Sequence, residues 1–584
     1  MKKRILVLLL CIVGNLSIAK GQSNASLPQE RVFVHVNASL FLAGETLFYK
    51  VYCLDGEINK LSTLSKMAYI ELIGQDKDVV FKHKIKLESG IGYGDFAVPV
   101  AVASGNYKLI AYTQWMQNEG IESFYINDIS IINPFQSDQD DILVDTNVDP
   151  SNQTDNLSNA NSENLNLKKI ESQFLEIETT QKEFQKRAKV SLTLKDKTKD
   201  NLSGNYSISV RKVDALDALA TTKALAKDFV DQKVNLKQTI NSVDFLPELR
   251  GELISGKLLR VSDNKPAPNE KVAMSIQQYD FILNISNTNQ DGLFYFNVSE
   301  DYNKETAVIQ VLEKDNKDFK IVIDKHDSND YGNLEFATFK ISSNYKNELE
   351  QRSIYNQIEN GYFDLKANAL QQIDTIQPFF GDYFETFYLD DYTRFNKVQE
   401  TFVEVVKGAY IKRNANQKLN FYVISLNPYE QLEKPAGVIV DGILLQDFDE
   451  FLAYDSRKIK RVSIARVKNN FILGSKSFGG LIVIETIDGK FSDALPKDKL
   501  TMVNLLKPQL KKTYYKKNYT DSNTLNRIPD YRNQLLWEPN VHLKSQDMVI
   551  DFFTSDNTGT YEISIEGFTA NGNPVSIRDI ITVK

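Results

Sequence analysis

The segment from Pro435 to Gly489 constrains this chain more than any other. It reads PAGVIVDGILLQDFDEFLAYDSRKIKRVSIARVKNNFILGSKSFGGLIVIETIDG. A short apolar run, Val438 to Val440, ends at Asp441-Gly442, a dipeptide suited to tight turns. Phe448, Phe451 and Leu452 then recur at helical spacing. A second strand is expected over Ile459 to Val467. Gly474, Gly479 and Gly480 punctuate the turn into a last apolar strand, Leu481 to Thr486. The pattern is that of a small α+β domain.

The Val440-Asp441-Gly442 strand end, the strand beginning at Ile459 and the ending from Gly474 to Thr486 resemble the plug domain of TonB-dependent outer-membrane receptors. A plug normally sits inside a barrel. Each barrel strand takes about 9–11 residues, and plugged transporters carry about 22 strands, far more than the segment after Gly489 holds. The sequence closes on Ile-Thr-Val-Lys, without the aromatic girdle residue that barrels place at the interface. The resemblance therefore implies a plug-like fold without a pore, serving binding or scaffolding.

At 584 residues the chain is too long for one core, and several domains are expected. A net charge of −8 and a pI near 5.4 argue against nucleic acid, which wants a basic face. Residues 1–21 read as a signal peptide: Lys2, Lys3 and Arg4 precede an apolar stretch, Ile5 to Val13, and Ala19-Lys20-Gly21 supplies small residues for cleavage. That stretch is too short to span a bilayer. Leu10 stands before Cys11 where a lipid-attachment site wants a small residue, so plain secretion is expected. Cys53 is then the one mature cysteine, in an alternating strand with Leu47, Tyr49 and Val51, and reads as a buried structural thiol.

Residues 22–135 show short alternating strands separated by Gly and Asp, the signature of a β-sandwich. FVHVNASLFLAGETLFYKVY and GDFAVPVAVASGNYKLIAYT resemble the opening and closing hairpins of alpha-2-macroglobulin β-sandwich domains, with Ala43 where proline is usual. Residues 136–170, rich in Ser, Asn, Asp and Gln, are expected to be a disordered linker. KVSLTL and NYSISVRKV place a second macroglobulin-like sandwich at 171–244. LPELRGELISGKL, VAMSI and DGLFYF resemble a carboxypeptidase-regulatory, transthyretin-like sandwich at 245–330. Residues 331–489 are expected to hold a helical connection and the plug-like domain. Helices are predicted at 344–358 and 393–407, the second with Phe395, Val398, Phe402, Val405 and Val406 on one face. Residues 490–584 are expected to form a C-terminal β-sandwich. The fold class is thus mainly β and multi-domain: serial β-sandwiches plus a small α+β plug-like domain.

No catalytic, cofactor or metal residue is assigned. A macroglobulin-type trap needs a Cys-Gly-Glu-Gln thioester, and Cys53 sits in Tyr-Cys-Leu-Asp. None of His35, His83, His326 and His542 has the Glu spacing of a zinc peptidase. The acidic turns at 138–141 and 324–330 lack the spacing of an EF-hand. Trp115, Trp537, Tyr514 and Tyr515 could stack on a sugar, but no clustered platform is evident.

These readings imply a non-enzymatic scaffold or docking subunit, exported and held at the outer membrane, on the cell surface, by a β-barrel partner. Such a complex would assemble or export outer-membrane and surface proteins. The alternative is an accessory ligand-binding protein for TonB-dependent uptake of glycans or siderophores. Leu445, Phe448 and Phe471, large apolar groups near loops, are the candidate interface.

Overall fold

A computed structural model describes residues 27–139, 142–144, 168–198, 203–220, 223–232, 243–278, 281–324, 329–371, 384–414, 417–427, 434–466, 470–496, 498–520, 527–544 and 547–584. The expected signal segment and most of the expected 136–170 linker lie outside these residues. The described chain is mainly β and multi-domain.

Two sheets make the first sandwich. Thr46–Asp55 pairs with Glu30–Val36 on one side and Ile91–Ala97 on the other. The facing sheet runs Leu40–Leu42, Tyr125–Ile132, Gly105–Tyr112, Met67–Ile73, Val79–Lys86. Val34, Val51, Leu72, Leu109 and Ile129 share its core, and Cys53 is wholly buried there. Burial, reinforced by Glu30, holds the Cys53 thiol well above its ordinary pKa, so it stays protonated and inert. Glu30–Val36 is buried at every residue. A strand buried on both faces has a second neighbour, and here it is another sandwich.

That second sandwich corrects the expected division into separate modules at 171–244 and 490–584. Gly204–Lys212 lies between Gln534–Leu543 and Gly559–Thr569, with Ile208 opposite both Glu538 and Ile565. Lys189–Asp196 is likewise flanked by Leu175–Thr179 and Met548–Phe553. The two stretches build one composite domain because neither has enough apolar area alone. Val190, Leu192, Tyr206 and Ile208 bury themselves against Tyr561, Ile563, Ile565 and Ile577.

The third sandwich is also completed from beyond its expected boundary. Leu293–Val298, Glu252–Arg260 and Phe319–Ile323 form one sheet. Ile282–Asn287, Lys271–Ile276, Thr306–Val311 and Thr501–Asn504 form the other.

The α+β domain has the sheet order Phe384–Tyr388, Ile459–Ala465, Leu481–Thr486, Gly437–Val440, Ile443–Leu444. Helices Val398–Glu404 and Asp449–Leu452 cover one face, where Val398, Phe402, Val438, Ile464 and Ile484 meet. The helix predicted at 393–407 is thus the shorter Val398–Glu404, and its apolar side is core.

Residues 331–371 do not belong to this domain, contrary to the expected 331–489 unit. Phe339 and Ile341 pack with Leu40, Leu42 and Ile132 of the first sandwich. The helix predicted at 344–358 is Lys346–Gly361. It lies over the Gly44 turn, where Asn356 and Asn360 donate to the Ala43 and Gly44 carbonyls at 3.0 and 3.1 Å.

The composite sandwich has little room at its central pair. A Cβ on Gly567 would stand 2.2 Å from the Asn205 carbonyl oxygen and 2.8 Å from Tyr206 Cα. Gly567→Ala is expected to destabilise the chain by about 1–3 kcal/mol, as overpacking does. Urea unfolding followed by circular dichroism checks this through a lowered midpoint.

Candidate functional site

The Asp441-Gly442 turn is the best-built local feature of the α+β domain. Asp441 adopts φ +47° and Gly442 φ +85°, the left-handed region that Asp tolerates and glycine favours. The Asp441 carboxylate accepts from Thr486 N at 2.8 Å, Thr486 Oγ1 at 2.5 Å and Phe491 N at 2.9 Å. It thereby ties the first strand of the segment to the end of the last.

The same turn docks onto the third sandwich. Ser275 Oγ donates to the Gly442 carbonyl at 2.6 Å, and Gln277 Nε2 to the Asp441 carbonyl at 3.0 Å. Gln310 Nε2 donates to the Leu444 carbonyl at 2.7 Å, and Gln446 Nε2 to the Val311 carbonyl at 2.8 Å. The sheet edge at Ile443–Leu444 is thus capped by side-chain amides. A Cβ on Gly442 would meet Phe281 Cβ at 2.9 Å, and one on Gly474 would meet the Ile285 carbonyl oxygen at 2.6 Å. Both glycines permit close approach between the domains. Ile439, Leu444, Leu481 and Phe478 join Ala273, Leu283 and Leu312 in a shared core.

The three candidate interface residues fall in different places. Phe471 is half-buried against this shared core, so its contact is inside the chain. Leu445 is 8% exposed and belongs to the core of the α+β domain. Phe448 is half-buried, edge-on to Phe421 at 5.3 Å. Leu445 and Phe448 do share one feature: both line an open cleft of about 670 Å³ between the α+β domain and the third sandwich. Its walls mix Phe451, Tyr454 and Phe491 with Lys418 and Asp447. Ion pairs of 3.6 Å, Lys476–Glu313 and Lys499–Glu450, lie along it. The candidates were chosen for apolarity near loops, and that signal does not separate an external partner from an internal one.

Other groups carried no sequence signal. Glu45, 7% exposed, receives Arg352 Nε at 2.8 Å and Arg352 Nη2 at 2.9 Å, with Arg211 Nη2 at 3.2 Å. Arg352 also reaches Asp214 at 3.3 Å. The one hint was a carboxylate directly after the Leu42-Ala43-Gly44 turn. His35 is equally hidden, with Nδ1 2.7 Å from Ser207 Oγ and Nε2 3.1 Å from Ser564 Oγ. All three residues are at most 1% exposed, so this serine–histidine contact fastens two sandwiches and reaches no substrate. His83 bonds Tyr49, and His326 lies outside the described residues. Among the described residues no three His, Cys, Asp or Glu side chains gather as a metal site would need.

A smaller cleft of about 190 Å³ opens where helix Lys346–Gly361, the Gly44 turn and strand Gln534–Leu543 converge. The structure gathers Trp537, Tyr514 and Tyr515 here, three of the four aromatics that looked scattered in the sequence. Trp537 stacks on Phe48 at 5.8 Å, and Tyr514 meets Phe48 edge-on at 5.0 Å. Trp115 lies elsewhere, donating to the Pro28 carbonyl at 2.7 Å.

No protein-family profile and no curated protein matches the sequence. Among solved structures, the chain is similar to Salmonella alpha-2-macroglobulin reacted with methylamine. The identity is 9% and the TM-score 0.23, covering 96% of this chain and 40% of that one. Similarity to the native conformation of Escherichia coli alpha-2-macroglobulin is the same: 9% identity, TM-score 0.23, 96% and 40% covered. The chain thus spans well under half the length of these structures.

Two outcomes follow from the geometry. Asp441→Ala loses the carboxylate acceptor and the tolerance for positive φ, whereas Asp441→Asn keeps that tolerance and one acceptor oxygen. The alanine variant is expected to lose about 2–4 kcal/mol and the asparagine variant clearly less, measured by thermal unfolding.

The second outcome concerns pH. Burial raises the Glu45 carboxyl, but Arg352 and Arg211 outweigh it and hold the group down at about 2, from an ordinary 4.5. A depressed acid stabilises fully above its unfolded value, so this contribution is lost as pH falls from about 4.5 toward 2. Glu248, pushed up to about 7 by burial, acts oppositely. Its contribution is full below 4.5 and lost as pH rises to about 7. Melting temperature should therefore decline on both sides, and Glu248→Gln should flatten the neutral arm alone.

Proposed function

We propose that the chain is a non-enzymatic docking subunit of an outer-membrane protein complex, held at the cell surface by a β-barrel partner. In this reading the complex assembles or exports outer-membrane and surface proteins. The α+β domain is plug-like, the first two sandwiches are macroglobulin-like, and the third is carboxypeptidase-regulatory-like.

The observation that carries this reading is the polar fastening at the domain boundaries. His35 joins the first sandwich to the second, and Lys84 pairs with Glu252 between the first and third. Gln310 and Gln446 join the third to the α+β domain. Domains held this way present surfaces in fixed relative positions, which a scaffold needs and a flexible array lacks. The cleft of about 670 Å³ beside Phe448 then offers a mixed apolar and charged surface to a protein partner.

Affinity purification of the tagged chain from detergent-solubilised outer membranes tests this. A β-barrel protein recovered in constant stoichiometry is expected, together with cleavage of the chain when intact cells are treated with protease. Recovery of the chain alone, or protection from protease until the outer membrane is lysed, would overturn it.

A further inference from the structure

The cleft of about 190 Å³ beside Trp537 has a composition that a docking role leaves unexplained. Each of its charged side chains is ion-paired, either across the lining or to a group just behind it. Glu45 is neutralised by Arg211 and Arg352, Glu359 by Lys366 at 2.6 Å, and Arg532 by Asp530 at 2.6 Å. A site with paired charges has no Coulombic preference for an ion, so it favours a neutral occupant.

The remaining lining is of two kinds. Side-chain amides come from three segments: Asn356 and Asn360 on the helix, Asn368 beyond it, and Asn533 and Gln534 at the start of the strand. Aromatic rings come from Phe48, Tyr515, Tyr531 and Phe363. Phe363 stands 58% exposed at the rim. Tyr531 is held flat by stacking on Tyr355 at 4.3 Å and 7°. Among the described residues the Asn368 side-chain NH₂ and the Asn360 side-chain oxygen Oδ1 have no protein partner, since the Asn368 side chain only accepts, from Tyr515 N, and the Asn360 side chain only donates. Beneath them, Trp537 Nε1–H and Arg211 Nε–H are buried without an acceptor, so the floor is donor-rich.

Aromatic faces select for C–H surfaces, and amides select for closely spaced hydroxyl and carbonyl oxygens. A molecule that is neutral, rich in oxygen acceptors and apolar on its ring faces is a sugar. The volume, equal to about six waters, suits a single ring. We infer that this cleft binds a neutral saccharide, with one ring between Phe363 and Tyr515 and its hydroxyls on Asn360 and Asn368. The site does not depend on the docking reading above and lies on different domains from its cleft.

Trp115 and Trp537 are the two tryptophans of the chain, so Trp115→Phe leaves Trp537 as the sole reporter beside the site. Its fluorescence is followed in the full chain against maltotetraose, cellotetraose, xylotetraose, mannotetraose and chitotetraose, with calorimetry alongside. At least one sugar is expected to give a saturable change at millimolar concentration. Phe363→Ala and Asn360→Ala should each weaken it at least tenfold, the first with an unchanged melting temperature and the second with only the small drop that losing its bond to the Gly44 carbonyl brings. The inference is overturned if no sugar of the panel binds, or if binding is unaltered in both variants. It is equally overturned if Trp537 responds only to an acidic peptide or to inorganic phosphate.

Discussion

Everything in this chain turns on a buried ionic knot. Glu45 belongs to a turn of the first sandwich, Arg211 and Asp214 to the second, and Arg352 to the helix that leads into the α+β domain. Asn533, just ahead of the strand Gln534–Leu543 of the second sandwich, also donates to Glu45 at 3.3 Å. Four distant stretches therefore converge on one carboxylate. Such a knot adds little net stability, because desolvating the charges offsets their attraction. Its value lies in the penalty for a wrong arrangement, since any one stretch out of place strands a charge in the interior. It specifies how the pieces meet more than how strongly they hold.

Local structure was legible in the sequence wherever alternation governs it. KVSLTL and NYSISVRKV are strands, and Phe402, Val405 and Val406 are core. What alternation cannot encode is the identity of the neighbour. Val190 and Leu192 announce a buried face, but nothing in them says that Ile565 and Ile577 will cover it. The other face of the Glu30–Val36 sheet was harder still. His35 and Lys50 look like solvent-side residues, yet Lys50 is wholly buried with its ammonium 3.1 Å from the Tyr206 carbonyl. A polar side chain reads the same in sequence whether it meets water or a hydroxyl of another domain.

The three candidate interface residues fall in different places for a related reason. Leu445 and Phe471 have the character of contact residues, and they do make contacts, but within their own chain. Interfaces inside a multi-domain protein use the same chemistry as those between proteins. The glutamines at the Ile443–Leu444 edge do what charged or capped edges do elsewhere, satisfying strand carbonyls so that no foreign strand can add there. The aromatic gathering around Phe48 was invisible because Trp537, Tyr514 and Phe48 come from three separate parts of the chain.

The composite sandwich also sets an order of events. Ser207 and Glu566, 359 residues apart, lie hydrogen-bonded on its buried face toward the first sandwich, and Glu183–Phe184 pairs with the last strand, Pro574–Val583. During synthesis the first sandwich has all its strands early. The strands from Leu175 to Lys212 must instead wait, edges and apolar faces uncovered, until nearly the whole chain has emerged. Contacts of such separation close slowly. The chain thus carries its own timer: the second sandwich is complete only when the strands from Gln534 to Val583 have arrived.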